Sequence, residues 1–467
     1  GSLAGGGTMG GNVALGGNLL TVGDGTSTIY GGVIGGSGGQ LTKVGSGDLQ
    51  LTGANTFTGA VTISVGSLTL NNAGGSALPD STVVNLDTSG ATLVLTTGVT
   101  IGSLAGVTGS VVTLYANTLT TGGNNDTTSF AGTIAGTGGL TKAGSGTMTL
   151  TGANTYSGTT TISAGSVVLN NAGGNAINDL SNVDLNVSGA DLTLSTNESI
   201  GSLTGTLGTT LALGANTLTT TTSANTLMQG VISGVGGSLV KNGTGELTLS
   251  AANTYTGTTT VGVGGSVRLF GTDGSLGGGN VSNSGTVRFE RSTAYTVANN
   301  ITGSGVIDQN GWGRVTLTGT NTAGAGTTVS FGRLDVNGTL ASNVTITPFG
   351  ELGGTGTVTG NVTGAGVVAP GNSPGILNVV GTFGPVGSLS AEINGIVPGT
   401  QHDQVNVTGA VNLGGTTVLV IDPASTIASV PGQQLVLTNN DGVTPTVDAV
   451  IGTFLGLPEG ATINVGV

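Results

Sequence analysis

The chain has 467 residues, 94 of them Gly; 6 % are charged, 3 % are aromatic, none is Cys, and the formal net charge is −13. That charge comes from 21 acids against eight Lys and Arg, so the phosphate-neutralising surface of a nucleic-acid binder is excluded and anionic membranes are disfavoured. Without Cys there are no disulfides and no thiolate metal sites.

Glycine-rich chains are often disordered, but disorder goes with low hydrophobicity and high charge. Here mean hydropathy is +0.31 and apolar residues alternate with Thr and Ser. Thr and Val are abundant while Glu, Lys, Arg, Gln and Met are scarce, which favours strands over helices. No apolar run approaches the roughly 20 residues of a membrane helix. The sequence opens at Gly1 without a signal-peptide pattern, and a processed or excised piece is expected.

In chain order, Gly1-Ser-Leu-Ala-Gly5 opens a stretch that returns at Gly102 and Gly201. Next comes Leu41-Thr-Lys-Val-Gly-Ser-Gly-Asp-Leu-Gln-Leu-Thr-Gly-Ala-Asn55-Thr-Phe57, which returns at Leu140–Tyr156 and Leu239–Tyr255. Lys43, Lys142 and Lys241 fall 99 residues apart. Asn55, Asn154 and Asn253, with Phe57, Tyr156 and Tyr255, mark the other recurring structural positions. Residues 1–300 thus read as three tandem blocks, 301–340 as a degenerate fourth repeat, and 341–467 as a C-terminal solenoid segment or cap. That last segment is expected to be truncated inside a strand at Asn464–Val467.

Within a block, Asp48–Thr52, Val61–Ser64, Ser67–Leu70 and Thr92–Thr96 alternate with period two, the mark of strands with one face buried. Gly, Asn and Ser clusters between them supply tight turns. Short strands in a fixed repeat predict an all-β, right-handed parallel β-solenoid (β-helix) of about five coils per block, at about 20 residues per coil. At about 4.8 Å per coil the whole chain would form a rod on the order of 100 Å long. An array of 99-residue antiparallel sandwiches is the alternative; the absence of a core Cys and Trp and the high Gly content count against it.

The segments 41–72, 140–171 and 239–270 resemble the autotransporter-associated β-strand repeat. Residues 307–336 do so in part, with Gln309 at the Lys position and Ala323 at the aromatic one. Ala369-Pro-Gly-Asn-Ser-Pro-Gly-Ile-Leu377 and Gly399–Gly409 resemble the segment that often follows such repeats, with His402 where the family usually has an aromatic. The resemblance implies the passenger region of a bacterial type V secreted protein, outside the cell or on its outer surface. A complete autotransporter ends in a translocator barrel. None follows here, so the resemblance implies a passenger fragment or export by another route.

A search for chemistry yields little. His402, beside Asp403, is the single histidine, so neither a two-His metal site nor a Ser-His-Asp triad is expected. Gly45-Ser-Gly47 and Gly144-Ser-Gly146 read as repeat turns, not nucleophile elbows. Asp24, Asp48, Asp80, Asp126, Asp184, Asp191 and Glu198 are scattered, though carboxylates could pair across coils. Gly23-Asp-Gly25 and Thr272-Asp-Gly274 are single, unlike calcium-binding repeats. The recurring lysines are read as fixing a turn or guarding against aggregation. One compositional shift stands out after residue 260, where Arg268, Arg288, Arg291, Arg314 and Arg333 occur with Phe289, Trp312 and Phe331. Arg288, Arg291, Trp312, Arg314 and Arg333 form a candidate partner patch.

No catalytic residue, metal or cofactor is expected. The sequence reads as a non-enzymatic extracellular solenoid: a stalk, an adhesin or a self-associating fibre or matrix subunit. Its expected partners are itself, head to tail or laterally, or surfaces and glycans, with no direct membrane insertion. A carbohydrate-active β-helix enzyme is the alternative, and an acid pair plus Arg in a groove would distinguish it.

Overall fold

The computed structural model describes residues 1–5, 11–423, 425–426, 434–440 and 450–458; the strand end expected at 464–467 lies outside them. All regular structure among these residues is β, in strands of two to eleven residues, and every ladder between them is parallel. The chain is a parallel β-solenoid. It divides into two compact units, residues 1–240 with 253–257, and residues 241–252 with 258–467.

In the first unit each coil has three sides. One side is an eleven-strand column running from Leu19–Val22 through Gln40–Lys43, Val61–Ile63 and Val83–Leu86 to Val231–Ser233. The second holds six strands from Thr28–Tyr30 to Thr133–Gly136, and is resumed by Glu198–Ile200 and Thr217–Thr220. The third carries Val99–Thr100, Leu119–Thr121, Leu140–Lys142 and their successors. Partners in register lie from 19 residues apart (Thr147 with Ser166) to 25 (Ser166 with Asp191). Alternation does the rest. In Leu41-Thr-Lys43, Val61-Thr-Ile63 and Val83-Val-Asn-Leu86 every second side chain points inward, and Leu41, Val61, Ile63, Val84 and Leu86 are fully buried. Each such burial contributes roughly 1.5–3 kcal/mol.

The 99-residue repeat does not equal a whole number of coils. From Gln40–Lys43 to Leu140–Lys142 the chain makes fourteen side-to-side steps, two of them through Asn55–Phe57 and Ala77–Leu78, where no strand is formed. Five full coils would need one more. Each copy of the motif therefore sits one side round from the last. Gln40–Lys43 lies in the first column, Leu140–Lys142 in the third, and Ser238–Lys241 stacks after Thr217–Thr220 in the second. The lysines form no row.

The corners explain the glycine content. Backbone lies directly on backbone there. Gly45 and Gly144 have φ of +70° and +63°, and a Cβ at either would fall 2.4 or 2.0 Å from a carbonyl oxygen of the preceding coil. Only Gly tolerates both the left-handed turn and the contact.

Buried polar side chains then satisfy the backbone groups that these corners leave over. Asn55 Oδ1 accepts the Ile34 N–H of the preceding coil at 2.7 Å, and its Nδ2 donates to the Ala77 carbonyl of the next at 2.6 Å. Asn154 does the same with Ile134 and Ala176, each at 2.7 Å. Asn253 accepts from Ile232 at 2.8 Å. In the second unit, Asn321 accepts from Ile301 at 3.0 Å and donates to Thr339 at 3.3 Å.

The lysines are fully buried clamps on their own turns. Lys43 Nζ donates to the carbonyls of Val44 and Gly45, both at 2.8 Å, and of Val65 at 3.2 Å. Lys142 Nζ donates to Ala143 at 2.5 Å and Gly144 at 2.8 Å, and Lys241 Nζ to Asn242 and to Gly243 at 3.1 Å. Gln309 fills the same role in the degenerate copy, its Nε2 donating to Gly311 at 2.8 Å and Gly313 at 2.9 Å. Burial pushes all three ammonium pKa values down, with Asp48 and Asp24 partly offsetting it at Lys43.

Leaving two buried carbonyls without donors costs roughly 1–3 kcal/mol apiece. Lys142→Met is therefore expected to lower stability by about 3 kcal/mol, and Lys142→Gln, which can reproduce the Gln309 arrangement, by less than half as much. Urea denaturation midpoints of the two variants check this; equal losses would mean that the turn needs the charge and not the donor.

Candidate functional site

All five arginines lie in the second unit. There the strands Glu246–Leu249, Ser266–Gly271, Thr286–Arg291 and Val306–Gln309 stack in register, and opposite charges meet across coils. Arg268 pairs bidentately with Glu290 at 2.7 and 2.6 Å. Arg288 bridges Glu246 and Asp308, each at 2.9 Å. Farther along, Arg314 and Arg333 both hold the fully buried carboxylate of Asp335, Arg333 at 2.7 Å, and Arg333 also pairs with Glu351. Partly exposed pairs of this kind contribute about 1 kcal/mol or less each; a buried carboxylate such as Asp335 requires its partners.

Of the candidate patch, Arg291 is buried. It donates to the Gly274 carbonyl at 2.5 Å and lies over the Tyr295 ring at 4.6 Å. Arg288 belongs to the ion-pair ladder. Arg314 and Arg333 meet at Asp335, and Trp312 stands exposed at the turn just before Arg314. The strands Gly326–Val336 and Val344–Gly354 are long enough to wrap a corner of the coil, and the register slips between Val329 and Phe331. Such a bulge re-aims a side chain. Phe331 meets Trp312 of the preceding coil at a centroid distance of 5.0 Å and stacks on Phe349 of the next at 5.7 Å, with the two phenyl rings within 5° of parallel. Trp312 is 73 % exposed and Phe349 65 %. Sequence reading singled out Trp312 and Phe331. It missed Phe349, whose place in the ladder depends on an 18-residue coil with no counterpart in the repeat.

Beside this ladder is a cleft of about 130 Å³ lined by Arg314, Arg333, Asn372, Glu392, Asp403 and Asp422 among others. It brings acids and arginines together, but most are engaged in holding the fold. Asp403 is buried and accepts the backbone N–H groups of Gly375 and Glu392, both at 2.8 Å. Burial nonetheless pushes its pKa up. Glu392 accepts from Ser373 at 2.8 Å and Asn394 at 2.6 Å. The cleft is smaller than the roughly 300–1,000 Å³ of ordinary ligand pockets. A larger hollow of about 390 Å³, lined by Thr355, Ile376, Asn378, Pro398, Thr400 and Asn406 with two glycines, has no ionisable side chain. His402 is buried; its Nδ1 lies 3.2 Å from the Gly395 carbonyl, and its Nε2 has no partner among the described residues. No group of three His, Cys, Asp or Glu among the described residues is arranged to hold a metal.

Of the scattered acids of the first unit, Asp48 bonds along the stack and Glu198 turns inward. Asp48 accepts from Ser67 at 2.6 Å and Thr69 at 2.8 Å. Glu198 is buried and accepts the N–H groups of Ile177 at 2.8 Å and Ala176 at 3.3 Å. Burial raises its pKa from 4.5 to about 7; the two N–H groups oppose the shift and Asp179 adds to it. An acid whose folded pKa is raised favours the folded state fully below its unfolded value, and that advantage is lost as pH rises from about 4.5 through 7. The first unit should thus lose about 3 kcal/mol between pH 4.5 and 8 from this group. Glu198→Gln should flatten that dependence in denaturant titrations at several pH values; an unchanged pH profile would show that Glu198 ionises normally in the fold.

Four segments, 41–70, 140–169, 239–269 and 307–336, match the passenger-associated-transport-repeat family. Residues across 38 % of the chain are 31 % identical to an extracellular serine protease of Serratia marcescens, covering 17 % of that protein. A stretch of 70 residues, 14 % of the chain, is 50 % identical to the adhesin BmaC autotransporter of Brucella suis biovar 1 (strain 1330), covering 2 % of it. The chain thus spans a small fraction of the curated relatives it matches. No solved structure matches it. The four repeats each place a buried Lys or Gln clamp and a buried Asn on parallel coils, and these four segments of the chain are passenger-associated-transport repeats.

Proposed function

We propose that this chain is a non-enzymatic structural segment displayed outside a bacterial cell, working as a stalk, an adhesin or a subunit of a self-associating fibre. The observation that carries the reading is where its polar chemistry goes. Lys43, Lys142, Lys241, Gln309 and the four asparagines hold turns and coils together, Arg268, Arg288, Arg314 and Arg333 pair with acids, and Arg291 holds backbone carbonyls. The repeat family and the adhesin relative support a surface location. The relative named as an extracellular protease supports export, and its activity is a property of that protein. In this chain the single histidine is buried, with Nδ1 on a backbone carbonyl.

A second reading, a polysaccharide-cleaving enzyme, draws on the cleft that gathers Glu392, Asp403 and Asp422 with two arginines. Two carboxyl groups flanking a bond would suit glycoside hydrolysis, but Asp403 already accepts two backbone N–H groups.

The purified chain should release no reducing ends from a panel of neutral and acidic polysaccharides. In negative-stain electron microscopy it should give either discrete particles of constant size, the stalk or adhesin form, or filaments that lengthen with concentration, the fibre form. Sugar release that is lost in Glu392→Gln would overturn the non-enzymatic reading.

A further inference from the structure

We propose that the aromatic ladder of Trp312, Phe331 and Phe349 is a binding platform for a neutral glycan chain. The proposal deepens the surface-protein reading and rests on it. The first ground is internal comparison. Aligned on the repeat, Trp312 stands at the turn tip where the other copies carry Ser46, Ser145 and Thr244, and Phe331 stands where they carry Val65, Ala164 and Val263. The turn itself is retained: Gly311 and Gly313 flank Trp312 as Gly45 and Gly47 flank Ser46, and Gln309 clamps the carbonyls of both. The fold needs only a small hydroxyl residue at that tip. The chain's single Trp is therefore not explained by packing, since it is 73 % exposed.

The second ground is charge. The groups beside the ladder are Arg314 and Arg333, which face Asp335 and Glu351. Asp335 and Glu351 neutralise the two arginines and the adjoining cleft adds Glu392, Asp403 and Asp422, so the patch offers no excess positive charge to a polyanion. What remains is ring surface bordered by polar, hydrogen-bonded groups. A neutral sugar chain, with apolar ring faces and hydroxyl edges, complements that surface; a polyanion does not.

The third ground is size. At about 150–250 Å² per aromatic side chain, three partly covered rings present a few hundred Å², well short of the roughly 800 Å² per partner in a stable protein interface. The ladder is a narrow strip in which Phe331 and Phe349 stack on each other at 5.7 Å and Trp312 tilts by 56° against Phe331 at 5.0 Å, leaving the exposed Trp312 and Phe349 at its two ends. That suits a linear ligand better than a second copy of the chain.

Because Trp312 is the sole tryptophan, its fluorescence reports on this strip alone. The full chain would be titrated with cellohexaose, xylohexaose and mannohexaose, and separately with dextran sulfate. At least one neutral hexasaccharide should produce a saturable blue shift and protection from iodide quenching, with half-saturation on the order of 0.1–1 mM. The response should persist in about 0.5 M salt and weaken about tenfold in Phe349→Ala, whose circular dichroism should match the parent. No response to any neutral hexasaccharide would overturn the proposal. So would a response to dextran sulfate alone that salt abolishes, or a blue shift that grows with protein concentration without sugar and accompanies a dimer in sedimentation. In each of these cases the surface-solenoid reading stands on its own tests. Reducing ends released alongside a saturable shift would support the ligand and overturn the non-enzymatic reading instead.

Discussion

Everything in this chain answers to one constraint. Parallel coils are joined by backbone hydrogen bonds that run along the stack, so each coil must lie directly on the next at the strand spacing of about 4.8 Å. Along the sides, ladders such as Leu41 with Val61 meet that demand. At the corners the chain changes direction, and peptide groups there lose their ladder partners while being pressed against the coil beneath. Buried peptide groups without partners are costly. Gly at the contacts, Asn across three coils and Lys or Gln over the turn are three solutions to that single problem. They recur together in the copies of the repeat.

The same constraint shapes the surface. Stacked side chains of identical charge would repel at one strand spacing, so outward columns favour neutral residues that can bond along the stack. Asn378, Asn406 and Asn439 form such a ladder, with amide to amide contacts of 3.1 and 3.2 Å. Where charges do appear, arginines stack on arginines, Arg268 on Arg288 and Arg314 on Arg333, and acids such as Glu290, Asp308 and Asp335 neutralise them. A low fraction of charged residues is thus a property of the architecture and needs no special environment to account for it.

Much of this was legible in the sequence. The period-two runs announced strands buried on one face, the 99-residue spacing announced a repeat, and the two together announced parallel coils. The recurrence of Lys142 and Asn154 marked them as structural. Their partners were not legible, because a bond from Asn154 to Ala176 depends on the length of the intervening coil, and coils here vary with their corners. For the same reason the arginines after residue 260 read as one cluster, although Arg291 is buried and Arg288 belongs to an ion-pair ladder. Phe349 could not be assigned to the exposed strip from sequence, since its register with Phe331 follows a bulge. Glu198 stands where the first block has Val99, and a lone acid carries no sign that two N–H groups await it.

The mismatch between repeat and coil has a geometric consequence. A motif copied every fourteen steps around a three-sided coil returns to its starting side only after three copies. Reach and bearing are therefore coupled in the repeat region: adding or removing a single block would alter its length and also swing every later side chain by one side. A feature that must keep its heading can tolerate changes only in threes, whereas one that benefits from facing all ways obtains that by duplication alone.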